Sequence, residues 1–307
     1  MQRVLLIANK SAGRGNAADL CEKSVNSCAD PLFYEVKNPK TITEMQEVCN
    51  AIEPDTYKGV FFVGGDGTIN QALPSLLGRG IPLGVLPGGT ANDLANELGM
   101  SFNHHFLTKL LDLDCTGSVD VIRMNSSLFL TVGGLGVGAL LTEEFNRLRE
   151  SSSLFRKLAR RLGANIYTVL CVKTILATRK YVHRLRVKSD EFSGEVKSSA
   201  LFVCNQKKLG HSLLVAPSAV IDDGVFEVLI LTENCQKRLI QSLFDLRAGR
   251  QPKGSIHFST SSLVVEDMDQ RLIPVFGDGE TLTPAKRLEF SIVPSALRMF
   301  RTSQVSS

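Results

Sequence analysis

Apolar positions fall into two regimes along this chain. Over the first hundred residues, short apolar runs at 4–8, 33–36, 60–63 and 81–86 show no polar alternation, which predicts strands buried on both faces. Segments 17–28, 43–52, 69–77 and 91–98 carry apolar residues three and four apart, which predicts helices, the second capped by Thr43 and the last closed by Gly99. Strands alternating with helices predict a doubly wound parallel sheet, whose ligands bind at loops beyond the strands' carboxyl ends. After about Asp120 the pattern changes. Strand-like runs at 119–124, 128–132, 181–187, 195–203, 225–231, 262–266, 272–276 and 288–293 are separated by Gly, Asp and Ser turns. That predicts an antiparallel β-sandwich, interrupted by helical segments at 142–178 and 236–246. The expected organisation is α/β plus all-β: an α/β domain over 1–120, a sandwich domain over 121–293, and a tail, 294–307, that packs back on the first domain and frays from Thr302.

Composition narrows the class. Hydrophobic residues make up 43% and charged residues 21% of 307, an ordinary globular balance that excludes wholesale disorder. Trp is absent and aromatics are 7%, so a base-stacking nucleic-acid binder is not expected. Seven cysteines with no C-x-x-C read as reduced thiols of a cytosolic protein, each a small buried hydrophobe. Residues 1–8 are too short and too weakly basic for a signal peptide, and no uncharged apolar run reaches the ~18 residues of a membrane span. The net charge of +4 is unevenly placed: residues 145–188 hold twelve Lys/Arg against Glu150, a local +11, which leaves about −7 elsewhere. Arg156, Lys157, Arg160 and Arg161 sit at helical spacing around Leu158, Leu162 and Ile166. Such a basic amphipathic helix reads either as a solvated face or as a membrane-surface element.

Candidate chemistry gathers at three glycine-rich turns: Asn9–Gly15, Gly64-Gly65-Asp66-Gly67-Thr68 and Pro87-Gly88-Gly89-Thr90-Ala91-Asn92-Asp93. Glycines let the backbone approach a phosphate, and a following helix N-terminus offers N–H groups and partial positive charge. Three such turns on one sheet edge predict a nucleotide-phosphate cradle. A carboxylate beside phosphate is repulsive unless a metal or proton intervenes, so Asp66 reads as a Mg²⁺-linked or hydroxyl-positioning group. Asp66 has little packing value there, so Asp66→Ala is expected to abolish catalysis with the fold intact. Asp93 reads in the same way or as a helix cap. Gly-Lys never occurs, so there is no P-loop, and G-x-G-x-x-G, H-E-x-x-H and G-x-S-x-G are missing. The five histidines show no ligand spacing and read as surface or capping residues.

Taken together, Gly64–Thr68, Pro87–Ala95, Ala216–Val228 with its Asp222-Asp223-Gly224, and Asp278-Gly279-Glu280 resemble the diacylglycerol kinase catalytic family, in its soluble bacterial branch related to sphingosine and ceramide kinases. The likeness runs from Val4 to about Arg301. It implies a phosphofructokinase- and NAD-kinase-like first domain, ATP bound between the domains, and transfer of its γ-phosphoryl group to a lipid primary hydroxyl. It implies nucleotide contacts from Asn9, Lys10, Ser11, Ala12, Gly13, Thr41, Gly65, Asp66, Gly67, Thr68, Ile69, Asn70, Gln71 and Thr90. A Mg²⁺ ion is implied at the Asp222–Gly224 turn, on the Asp223 carboxylate and the Val220 and Val225 carbonyls. Glu280 is implied as proton acceptor, with Asp278 as its alternative; without the likeness, Asp-Gly reads as a hairpin turn. Partners implied are a lipid substrate at the inner membrane face, reached peripherally from the cytoplasm by attraction to anionic lipid, and optionally a second copy of the chain. The sequence departs from the family at Asn9–Gly13, where Lys10 replaces a usual Pro, and at 205–212, which lacks the usual glycines. The other classes weighed are a soluble-metabolite kinase of the NAD-kinase type and a non-catalytic nucleotide- or lipid-binding protein.

Overall fold

The first strand, β1 (Arg3–Ala8), lies between β2 (Tyr34–Lys37) and β3 (Tyr57–Gly64), parallel to both, and β3 pairs in parallel with β4 (Pro82–Pro87). The computed structural model describes residues 3–8, 34–54, 56–89, 91–101, 107, 115–152, 155, 165–178, 182–210, 212–232 and 235–302. These residues form two units, one up to Asp120 together with the chain from Ser295 onward, the other Val121–Pro294.

In the first unit the strand order is β2-β1-β3-β4, extended by the end of the last strand, β18 (Arg287–Phe300), whose Arg298 and Met299 pair in parallel with Pro82 and Leu83. The order reverses between β1 and β3, and the crevice beyond the carboxyl ends at such a reversal is where doubly wound sheets take ligands. Val4–Ala8 and Val60–Val63 are buried throughout, as unalternated apolar runs require. Phe300 stacks on Phe61 at 5.0 Å, filling space that Gly59 and Gly84 leave open. Helix α1 (Ile42–Asn50) is capped by Thr41, not Thr43: the Thr41 hydroxyl accepts from the Glu44 N–H at 3.1 Å, and the Glu44 carboxylate accepts from the Lys40 N–H. Two further helices, α2 (Asp66–Leu76) and α3 (Asp93–Glu97), follow β3 and β4.

The second unit is a sandwich. One sheet has the order β14-β13-β10-β7-β16-β17, all antiparallel: Ile256–Thr260, Phe226–Leu231, Ala200–Cys204, Val132–Gly136, Ile273–Gly277 and Glu280–Ala285. The other joins β18, β15 (Ser262–Asp267), β8 (His183–Lys188) and β9 (Ser193–Ser198), with β5 (Thr116–Met124) and β6 (Ser127–Phe129) beside β18. Leu185, Val187, Leu201, Val203, Val228, Val265, Val275 and Leu288 fill the space between the sheets. The outer face of the six-stranded sheet is covered by α4 (Val137–Ser151), α5 (Asn165–Ala177) and α6 (Gln236–Arg247).

Several expectations change here. The run at 195–203 is two strands in different sheets, broken at Ser199, with the Ser198 hydroxyl donating to the carbonyls of Ala200 and Leu231. The run at 128–132 is likewise divided between β6 and β7. Among the described residues, the helical segment 142–178 holds α4, which begins earlier at Val137, and α5. Cys49, Cys115, Cys171 and Cys204 are buried, but Cys235 is exposed at the start of α6. Burial pushes the Cys49 and Cys171 thiols up to about 12. His183 is a core residue, its Nδ1 against the buried Asp267 carboxylate. Burial pushes Asp267 up, but His183 and Arg271 outweigh it and hold the carboxyl below its ordinary value. Ile166 is also buried, on Phe145, Leu170 and Phe155, so it is not part of an exposed amphipathic face.

Candidate active site

Both glycine-rich turns of the first unit sit at strand carboxyl ends, and they are built against each other. The Gly88 N–H donates to the Gly64 carbonyl at 2.9 Å. A Cβ at Gly89 would lie 2.5 Å from the Gly65 Cα, and one at Gly88 would lie 3.2 Å from the Gly64 backbone. The glycines therefore serve backbone-to-backbone contact between the turns, before any ligand is considered. Asn92, in the left-handed region at φ 54°, closes the second turn: its Oδ1 accepts from the Gly89 N–H at 2.7 Å, and its Nδ2 donates to the Gly89 carbonyl.

Asp66 has a definite task. Its carboxylate accepts from the Asp93 and Leu94 N–H groups at 3.0 and 2.9 Å. It thus caps α3 from the neighbouring turn and satisfies amides that a five-residue helix leaves open. The expectation that Asp66 has little packing value is overturned by these two bonds. The N-terminus of α2, by contrast, has Gly65 at its cap position and no side-chain cap. The start of α2 thus keeps main-chain N–H groups that no side chain caps. Thr68 and Ile69 are buried, so Ile69 can reach a nucleotide only through its main chain, whereas Asn70 and Gln71 are half-buried. Thr41 is exposed, with its hydroxyl engaged at the α1 cap. Asn9, Lys10, Ser11, Ala12, Gly13 and Thr90 lie outside the described residues, as do Arg156, Lys157, Arg160 and Arg161.

Asp66→Ala is expected to destabilise the first unit by about 1–2 kcal/mol, the cost of an N-cap, as well as lowering turnover. Asp66→Asn, which keeps one acceptor oxygen, should lose less stability. Thermal melts of the three proteins check this, and an Asp66→Ala melt equal to the parent's would remove the capping role.

In the second unit Asp278 and Gly279 form the two-residue turn of the β16–β17 hairpin, both with positive φ, 51° and 74°, between the paired Gly277 and Glu280. The Asp-Gly signal is therefore a hairpin turn. Asp278 is 5% exposed, and its carboxylate accepts from the Leu130 N–H, from the Thr131 N–H at 2.7 Å and from the Thr131 hydroxyl at 2.7 Å. Held by these bonds, Asp278 is an anchor for the turn. Glu280 differs: its side chain is 40% exposed. Asn146 Nδ2, on α4, donates to the Gly279 carbonyl at 3.1 Å and to Glu280 Oε2 at 3.3 Å, and Arg149 lies 3.6 Å from Oε1. Asn146, Arg149 and Thr131 escaped the sequence reading. The only local signal is the spacing of Asn146 and Arg149, three apart on one helix face.

At the Asp222–Gly224 turn, Asp223 Oδ1 accepts from the Val225 N–H at 3.1 Å and Gly224 has φ 77°. One carboxylate with neighbouring main-chain carbonyls is an all-oxygen set of the kind Mg²⁺ takes, so the residues fit that ion. Among the described residues no three His, Cys, Asp or Glu side chains gather, so any ion there depends on main-chain oxygens and water.

Two family models cover most of the chain: the diacylglycerol kinase catalytic domain over residues 3–124 and the YegS C-terminal NAD kinase beta sandwich-like domain over residues 150–301. Residues 3–124 thus belong to the diacylglycerol kinase catalytic family and residues 150–301 to the YegS C-terminal family. Among curated relatives, a protein of Shewanella frigidimarina named "Probable lipid kinase YegS-like" is 29% identical over 253 residues, covering 80% of this chain and 76% of that one. Among solved structures, one titled as a diacylglycerol kinase from Bacillus anthracis aligns with a TM-score of 0.75 at 21% identity, over 99% of this chain and 98% of that one. That likeness carries the fold: a parallel-sheet unit and a β-sandwich unit, as the hydrophobic pattern requires. These two domains place the chain with kinase-family proteins of the lipid kinase kind. No helix among the described residues is long and apolar enough to cross a membrane.

Proposed function

We propose that this protein transfers the γ-phosphoryl group of ATP to the primary hydroxyl of a lipid such as diacylglycerol. The observation that carries the reading is the mutual packing of the two glycine-rich turns at the carboxyl ends of β3 and β4, next to the strand-order reversal. There the uncapped start of α2 receives phosphate oxygens, with Gly65–Gln71, Thr90, Thr41 and Asn9–Gly13 as the nucleotide contacts. Glu280 accepts the proton of the lipid hydroxyl as its oxygen bonds to the γ-phosphorus and the bond to the ADP oxygen breaks. Asn146 and Arg149 hold the Glu280 carboxylate in place for this. Phosphoryl transfer asks more of positioning and electrostatics than of base strength, which suits an exposed, tethered glutamate. Asp223 and the Val220 and Val225 carbonyls would hold one Mg²⁺, and Mg²⁺ carried with ATP would supply charge neutralisation at the phosphates. The peripheral setting at the inner membrane face belongs to this same reading.

The test offers radiolabelled ATP with diacylglycerol, phosphatidylglycerol, a sphingoid base and NAD, the products being separated by thin-layer chromatography. Label on a lipid, lost on chelation of Mg²⁺ and restored by its return, is the expected result. Label on NAD alone would turn the reading to the soluble-metabolite class. Label on nothing, with ATP bound, would favour a non-catalytic protein.

A further inference from the structure

The helical layer on the outer face of the six-stranded sheet carries apolar side chains that stay exposed among the described residues. On α5, Ile166, Leu170, Cys171, Thr174 and Ile175 are buried, while Val169 and Leu176 are 59% and 56% exposed. Val169 and Leu176 fall at i and i+7 on one exposed face, and Val172 between them packs against the core. Helix α6 runs antiparallel beside α5. Gln236 Nε2 donates to the carbonyls of Ile175, Leu176 and Thr178, and Arg247 donates to the Thr168 hydroxyl near the other end. Gln236, Ile240 and Arg247 therefore lie along the α5-facing side of α6. Phe244, 50% exposed and between Ile240 and Arg247 on that stripe, emerges beside the exposed residues of α5.

The charge around this stripe is predominantly basic. Helix α5 contains Lys173 and no acid; residues 236–250 contain Lys237, Arg238, Arg247 and Arg250 against Asp245 alone, so five basic residues less one acid leave +4. That acid is taken by Arg250 at 2.9 Å. On the α4 side, Glu144 is engaged by Arg147 and Lys173. An exposed apolar stripe rimmed by cations matches the boundary of a bilayer, with alkyl chains below and phosphates above.

We propose that the α5–α6 face docks this protein on an anionic bilayer, with Val169, Leu176 and Phe244 entering the headgroup boundary and Lys237 and its basic neighbours facing lipid phosphates. The proposal rests on the lipid acceptor proposed above, and it places the membrane contact elsewhere than the Arg156–Arg161 segment. A second copy of the chain suits the face less well, because a two-fold contact would set +4 against +4 around the stripe.

The full chain is sedimented with phosphatidylglycerol or phosphatidylcholine vesicles, without ATP. Binding to the anionic vesicles alone, weakening as salt rises, is expected, because exposed charges are screened. The triple variant Val169→Ser, Leu176→Ser, Phe244→Ser and the single variant Lys237→Glu should each bind at least about tenfold more weakly. Leu272→Ser, at an isolated apolar residue that is 62% exposed beside Arg271 and Asp269, should bind as the parent does. Phosphorylation of a detergent-dispersed short-chain acceptor should be unchanged in all of them, which separates docking from chemistry. Binding of the triple variant equal to the parent's overturns the proposal, as does an equal loss in Leu272→Ser or a dimer in light scattering that the triple variant abolishes. A parent that binds vesicles through this face but phosphorylates no lipid would sink the kinase reading and leave the docking face standing.

Discussion

A Glu280→Gln protein is expected to melt with the parent and to lose phosphoryl transfer by two to four orders of magnitude, roughly what a positioned general base contributes. The side chain is 40% exposed, and its contacts include one amide hydrogen bond and one ion pair at 3.6 Å. Exposed pairs of that length stabilise little, and the glutamine keeps an oxygen for Asn146, so the stability change should stay within about 0.5 kcal/mol. What disappears is the basic oxygen proposed to take the hydroxyl proton. Initial rates on a dispersed lipid acceptor, set beside thermal melts, separate the two effects. A folded Glu280→Gln protein with parental turnover would remove Glu280 as proton acceptor.

Asp278→Ala should do the reverse and act first on the fold. The substitution leaves the Leu130 and Thr131 N–H groups and the Thr131 hydroxyl without their acceptor in a site where Asp278 is 5% exposed. Buried donors so stranded cost about 1–3 kcal/mol each when water cannot reach them, and they are not fully additive. Alanine also tolerates the left-handed φ of 51° less well than aspartate, by roughly 1 kcal/mol. A total loss of about 3–5 kcal/mol is expected, read as a lower urea midpoint with an unchanged slope. Asp278→Asn, which accepts that backbone conformation and retains one oxygen for Thr131, should lose less than half as much. A parental urea midpoint for Asp278→Ala would show that the turn does not depend on its carboxylate. The two acids of one Asp-Gly-Glu turn are thus expected to separate, one by denaturation and the other by rate.

Much of the architecture follows from the local pattern. The runs at 4–8, 60–63 and 81–86 have no polar residue to turn toward water, so they could only be strands covered on both faces, and the helices between them required parallel crossovers. The alternation in 183–188, with burial at every second residue, committed that strand to one side of a sandwich. The glycine-rich turns were legible because glycine density at strand ends is rare without a reason. Their reason was not legible. That Gly88 and Gly89 answer Gly64 and Gly65, and that the Asp66 carboxylate belongs to a helix start 27 residues away, are facts of register between β3 and β4. The same holds for the central strand β7, Val-Gly-Gly-Leu-Gly, whose glycines give no strand propensity and which is held by the strands on either side. Sequence determined which segments must be buried and which turns are unusual, because burial and turn chemistry are written in a few neighbouring residues. Which carboxylate is a buried anchor and which an exposed, tethered one, and which helix face stays open to solvent, depended on partners 134 to 148 residues distant or on a neighbouring helix, and only the packed chain brings those together.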